Sequence, residues 1–218
     1  MSINWNHRLA ELTEDWIYYY KIYPWRQSIP EIAKEVLQLP FRHIHYLVFA
    51  RFLTKSLPEI SVDSSIEIRK FEPRDVPEVA VINRPSEAKL CTKRLARGHL
   101  GVSAIHTDKL VGYAWACTNI DPVLERVRIA LKPFEFLCTD SFTSLDYRGR
   151  GVQTLLTMER FRMLHELGYE RAICFIKKDN LPSIAVWKKL GGQIVGKIDF
   201  IRIGRWRYSR YRNISTFD

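Results

Sequence analysis

Arg148-Gly149-Arg150-Gly151-Val152-Gln153 is the stretch of this sequence whose residue types and spacing carry the clearest chemistry. A long apolar run, Phe134 to Leu145, stands before it. After it Val152, Leu155, Leu156, Phe161, Leu164 and Leu167 recur at helical spacing, up to Gly168 as a C-terminal cap. A helix leaves its first N–H groups without partners and carries the positive end of its dipole there, so a turn that opens a helix attracts anions. Gly149 and Gly151 lack the Cβ atoms that would hold a phosphate away, and Arg148 and Arg150 add positive charge at the same mouth. The plain alternative is a tight strand-to-helix turn with two solvated arginines. Arginine interleaved with glycine, between a strand and an amphipathic helix, favours the phosphate. A dinucleotide-binding turn is disfavoured, because Val152, Gln153 and Thr154 follow without a third glycine and too few strands remain downstream. The absence of G-K-[ST] excludes a Walker loop.

The elements around this loop can be read in order. Ser65 to Phe71 alternates as a half-buried strand, Pro73-Arg74-Asp75 opens a helix to Asn83, and Ser86 to Arg97 reads as a second helix. Leu100 to Ile105 and Leu110 to Cys117 pair as a hairpin across His106-Thr107-Asp108-Lys109. Beyond the loop and its helix come a strand from Arg171 to Ile176 and a helix from Leu181 to Leu190, closed by Gly191-Gly192. The strands Gln193 to Ile203 and Arg205 to Tyr211 follow, bent at Gly204. Ala10 to Leu39 shows helical spacing broken by Pro24 and Pro30, while Ile44 to Leu53 fits a strand or a short buried helix equally well. The expected fold is α/β in the α+β sense: a mixed, mainly antiparallel central sheet flanked by helices, with an N-terminal helical extension. Residues 1–62 are expected to form that extension, packing on a catalytic domain at 63–218.

Composition narrows the class. A chain of 218 residues with 46% hydrophobic and 27% charged residues is globular, with no low-complexity linker and no repeat. The net charge of +10 favours an anionic partner without choosing among nucleotide cofactor, nucleic acid, lipid or acidic sugar. Cys91, Cys117, Cys138 and Cys174 form no C-x-x-C pair and read as reduced thiols of a cytoplasmic protein. No signal-peptide layout and no transmembrane run is present.

The carboxyl-terminal half resembles the GNAT superfamily of acyl-CoA-dependent N-acyltransferases, whose loop signature [QR]-x-x-G-x-[GA] is read here as Arg148-Gly149-Arg150-Gly151-Val152-Gln153. A second family motif is matched by Asn180, Ser183, Trp187, Lys189, Leu190 and Gly191, and the resemblance spans about Ser65 to Tyr211. It implies acetyl-CoA as co-substrate and a small amine, a metabolite or amino sugar, as the acceptor that attacks the thioester directly in a ternary complex with no metal. It also implies that strand backbone at Phe142 and Thr143 holds the pantetheine arm and that the amides from Arg148 to Thr154 hold the pyrophosphate. Asn180, Ser183 and Trp187 would flank the cofactor's other side. Two departures bear on catalysis. Trp187 stands where many relatives place a tyrosine that protonates the leaving thiolate, and an indole cannot serve as that acid. Leu137 and Thr139 stand where relatives often place a base, leaving Glu135 and Asp140 as the nearest carboxylates, in competition with water-relayed proton loss.

Other groups have plainer readings. His43 and His45 share a face if their segment is a strand, but no third metal ligand is evident, and His165 reads as packing. Arg202, Arg205, Arg207, Arg210 and Arg212 interleave with Trp206, Tyr208 and Tyr211, which suits RNA, an acidic acceptor or a charge-guarded edge strand, the last favoured. The aromatics from Trp16 to Trp25 suit cover for the sheet or a homodimer partner better than a membrane surface. The different-class alternative is a GNAT-like protein that binds CoA or nucleic acid without catalysis.

Overall fold

The computed structural model describes residues 41–54, 57–58, 65–118, 131–203 and 206–214. Among them eight strands build a single sheet: β1 (Phe41–Phe52), β2 (Glu67–Lys70), β3 (Leu100–His106), β4 (Lys109–Cys117), β5 (Glu135–Thr143), β6 (Arg171–Lys177), β7 (Gln193–Ile203) and β8 (Trp206–Asn213). Their order is β2-β3-β4-β5-β6-β1-β7-β8. Every neighbouring pair is antiparallel except β5 with β6. The α-helices are α1 (Val76–Ile82), α2 (Pro85–Ala96), α3 (Val152–Glu166) and α4 (Leu181–Lys189). The mixed, mainly antiparallel sheet with flanking helices is as expected.

Side-chain size along β4 assigns the helices to faces. Tyr113 and Trp115 alternate with Ala114 and Ala116, so one face is bulky and the other shallow. Val79 of α1 and Cys91 of α2 pack with Phe71, Tyr113 and Trp115. On the shallow face Val152 and Leu156 of α3 lie against Val102, Val111 and Ala114. Further along the same helix, Phe161 and Leu164 meet Phe136 of β5, Trp187 of α4 and Phe49 of β1. Each large side chain buried in this way contributes about 2–3 kcal/mol. Asp75 starts α1 from within the core: it is 1% exposed and accepts from Nη1 and Nη2 of Arg69, from Ser103 Oγ at 2.8 Å and from the Glu72 N–H at 2.9 Å. Burial alone would raise its pKa, but those donors outweigh it and hold the carboxyl below the usual carboxylate range.

The stretch Ile44 to Leu53, expected as either a strand or a short buried helix, falls up to Phe52 within β1, an inner strand inside the expected extension. β1 pairs with β6 from Tyr46↔Lys177 to Phe52↔Arg171 and with β7 from Phe41↔Ile203 to Ala50↔Gln193. Val48, Phe49 and Ala50 are all buried, which removes the in-and-out alternation that marks a half-exposed strand. The helices expected over residues 10–39 and the bend at Gly204 lie outside the described residues. His165 corrects its expected packing role: it is exposed beyond the buried Leu164, with Nδ1 3.4 Å from the Tyr169 carbonyl.

Candidate functional site

The one parallel pairing in the sheet is short. β5 and β6 stay in register from Glu135↔Arg171 to Cys138↔Cys174 and then separate. The cause lies on the other side of β5. Against β4 the register runs Trp115↔Thr139 and Tyr113↔Phe142, so Asp140 and Ser141 together oppose Ala114 in a bulge. Asp140 sits there at φ 39°, a left-handed conformation that an Asp tolerates and most side chains avoid. Its carboxylate is ion-paired with Arg94 of α2, a buried guanidinium that also lies 5.7 Å over the Trp115 ring. The bend turns β5 away from β6 and opens a cavity of about 410 Å³ between them.

Strand backbone, α3 and the start of α4 line this cavity. β5 supplies Leu137 to Ser141 and β6 supplies Cys174 to Lys177. Gln153 and Arg160 come from α3, and Asn180, Ser183 and Trp187 from α4 and its cap. Asn180 caps α4, its Oδ1 accepting the Ser183 N–H at 3.3 Å. Trp187 is 3% exposed, with its ring centroid 5.5 Å from that of Phe161 and 6.0 Å from that of Phe49. Burial pushes the Cys138 thiol up to about 11 and raises the Cys174 thiol as well. Both are therefore neutral and weakly nucleophilic near pH 7.

The loop before α3 has the geometry of an anion cradle. Gly149 and Gly151 adopt φ 78° and 80°, and a Cβ built on Gly149 would meet nothing within 4 Å. Among the described residues the N–H groups from Gly149 to Gln153 have no backbone acceptor. The run is shorter than expected at both ends: the Arg148 N–H donates to Leu145 O at 3.2 Å and the Thr154 N–H to Gly151 O at 2.9 Å. Arg148 Nε donates to Thr143 O at 3.2 Å, and Arg150 lies 5.2 Å over the Tyr147 ring, with both arginines exposed. Gln153, at the position where the loop signature has Gly or Ala, is accommodated against β5, its Oε1 accepting from Thr143 Oγ1 at 3.4 Å. Phe142 turns its ring to the bulky face and stacks on Tyr113 at 5.8 Å.

The sequence-predicted carboxylates separate. Asp140 lines the cavity. Glu135 does not: it is buried at the far end of β5, accepting from Arg171 at 2.9 Å and from the Lys132 N–H at 2.9 Å. Arg94 and Arg160, neither of them among the sequence-predicted site residues, flank the bulge. Outside the cavity a third potential ligand does stand beside the histidine pair. The His43 and His45 rings are 4.2 Å apart, and Asp199, opposite His45 on β7, accepts from His45 Nδ1 at 2.6 Å and from Arg212 at 2.5 Å. Its carboxylate already holds two donors. Arg202 is buried, while Trp206 and Tyr208 stack at 6.0 Å and are exposed.

Comparison with known proteins agrees with this geometry. Residues 66–192 match the acetyltransferase (GNAT) family. A mycothiol acetyltransferase of Mycobacteroides abscessus is 24% identical over 179 residues, 73% of this chain and 55% of that protein. A mycothiol acetyltransferase of Saccharomonospora viridis is 40% identical over 50 residues, 23% of this chain and 16% of that protein. The chain thus spans little more than half of the first of these relatives and less of the second. Among solved structures, a GCN5-related N-acetyltransferase from Sphaerobacter thermophilus superposes with a TM-score of 0.54 at 15% identity, over 87% of this chain and 58% of that one. A Drosophila protein superposes at 0.55 and 14% identity, over 81% of this chain and 56% of that one.

Proposed function

The chain belongs to the GNAT family of acetyltransferases, and from that premise we propose that it transfers an acetyl group from acetyl-CoA to a primary amine by direct attack in a ternary complex. A small metabolite or amino sugar is the acceptor class in this reading. The observation that carries it is the run of acceptor-free amides from Gly149 to Gln153, opening α3 beside a cavity between two splayed strands. The amides and the helix dipole suit a pyrophosphate. The β5 edge beyond Cys138, no longer paired with β6, offers backbone groups to an amide-rich arm as a guest strand would use them. Asn180, Ser183 and Trp187 close the opposite wall.

Transfer needs a neutral amine beside the thioester carbonyl, so the proton it sheds must reach a base or ordered water. Asp140, although paired with Arg94, is the cavity carboxylate to which this reading gives that role, through water, while Glu135 lies outside the cavity. The neutral thiols of Cys138 and Cys174 support direct attack over an acetyl-cysteine intermediate. The acetyltransferase names of the relatives support acetyl as the acyl group. Among the described residues no helix is long and apolar enough to cross a membrane, and four free cysteines favour the cytoplasm.

Calorimetry with acetyl-CoA and a thiol-release assay across an amine library test the reading together. Gly151→Asp is the informative variant, because Asp suits both an N-cap and the left-handed backbone there while setting a negative charge against the phosphates. The variant should keep its melting temperature within a few degrees and lose acetyl-CoA binding by about 100-fold or more. Undiminished affinity would overturn the loop assignment. Tight binding by the wild type with no thiol released for any amine would leave a CoA-binding protein without catalysis.

A further inference from the structure

Arg160 is a cavity group that the proposed reaction does not use. It continues the buried stripe of α3, following Val152 and Leu156 and preceding Leu164 at four-residue intervals, and it is 1% exposed. Its Nη1 donates to the Trp115 carbonyl at 2.8 Å and to Ser141 Oγ at 3.4 Å, both neutral acceptors, and its Nε has no partner. Among the described residues no carboxylate lies within ion-pair distance of it, and Asp140 in the adjoining bulge is held by Arg94. A buried cation without a counter-charge costs several kcal/mol, a cost that a ligand bearing negative charge would offset. The guanidinium lines the same cavity as Cys138, Thr139, Ser141 and Trp187.

We propose that Arg160 stabilises the departing thiolate of coenzyme A, in place of the acid that Trp187 cannot provide. The inference rests on the acetyl-transfer reading. As the amine nitrogen bonds to the acetyl carbon, the C–S bond breaks and its electron pair goes to sulfur. The amine proton leaves through water and Asp140, and the thiolate takes a proton from solvent on release. A fixed cation at the sulfur lowers this barrier without a proton transfer. A purely structural role, bracing the bulge through Trp115 and Ser141, is the competing account.

The two accounts differ in what happens to the thiol of bound coenzyme A. If the guanidinium faces sulfur, the bound thiol ionises at lower pH than the free one, and affinity rises with pH between those two values. The other ionisable side chains around the cavity are Asp140 and Cys138 on β5, Cys174 and Lys177 on β6, and Tyr46 on β1. Desulfo-coenzyme A, which lacks the sulfur but meets all of these, corrects for their titration and for that of the phosphates. Calorimetry of the full chain with both ligands from pH 6.5 to about 9.5 should give an affinity ratio, coenzyme A over desulfo-coenzyme A, that climbs by about tenfold. In Arg160→Met that ratio should stay flat, with desulfo-coenzyme A affinity within twofold of wild type and kcat reduced by about 100-fold at similar KM. Arg160→Lys should recover part of the slope. A wild-type ratio that does not move with pH overturns the proposal, whether or not the variants fold, and so does an Arg160→Met ratio that climbs like the wild type's. Failure of the wild type to bind either ligand at any pH overturns the acetyl-transfer reading itself, and this inference with it.

Discussion

Gly149 and Gly168 form a matched pair that isolates the cradle from the stability of the fold. Both adopt left-handed backbone, φ 78° and 86°, and a Cβ built on either meets nothing within 4 Å. Gly149 lies in the loop before α3, and Gly168 lies just past its other end. An alanine in this conformation costs about 1–2 kcal/mol with no steric term added. For a domain of this size that lowers the melting temperature by about 2–8 °C, equally in Gly149→Ala and Gly168→Ala. Binding should separate them. The methyl group at position 149 would enter the space beside the acceptor-free amides, where N–H to phosphate contacts need about 2.9 Å and a methyl carbon keeps oxygen beyond about 3.3 Å. Losing one such charge-assisted bond costs about 1.5–3 kcal/mol, which is about 10- to 150-fold in affinity. Thermal melts and acetyl-CoA titrations of both variants provide the readouts. Equal affinity in the two variants, whether reduced or intact, would refute the placement of the pyrophosphate.

Three further outcomes are expected. Glu135→Gln should destabilise the fold by about 3 kcal/mol in denaturant titrations, because it strands Arg171, yet leave kcat unchanged; a loss of kcat would return Glu135 to the chemistry. The Asp75 carboxyl, held below its usual range, adds stability that is fully present above the unfolded value of about 3.9 and is lost as pH falls through the folded value. Asp75→Asn should therefore be less stable than wild type by about 3 kcal/mol at pH 7, with the gap narrowing below about pH 4, as followed by melts across that range. Cys138→Ala should retain acetyl transfer, and mass spectrometry of the wild type incubated with acetyl-CoA alone should show no acetylated cysteine. A stoichiometric adduct would replace direct attack by a two-step route.

What was legible in the sequence was whatever depends on neighbours along the chain. The loop, the cap at Gly168 and the hairpin of β3 and β4 are set by spacing and turn chemistry over a few residues, and they lie where they were expected. Pairings across long separations were not legible. β1 alternates only in its first half, and nothing local announces that its partners are β6 and β7. Arg94 meets Asp140 across 46 positions, and His45 meets Asp199 across 154. Arg160 did leave a local signal: a charged residue in the apolar stripe defined by Val152, Leu156 and Leu164 either has an internal partner or faces a cavity. Glu135 and Asp140, five positions apart on one strand, looked alike because sequence does not reveal where β5 bends.

The interior position of β1 also predicts an order of events during folding. β2 to β5 pair with near neighbours along the chain, so that half of the sheet closes with small loops. β1 leaves the ribosome before any of them, yet its registers, Tyr46↔Lys177 and Phe41↔Ile203, wait for residues synthesised far later. Loops of that length make the docking of β1 the expected slow step, while β7 and β8 close as a local hairpin. β6 is the seam, parallel to the early half through β5 and antiparallel to the late half through β1. The cavity lies along that seam, so a chain caught before β1 docks is expected to have the Gly149–Gly151 loop and the described helices but no finished slot.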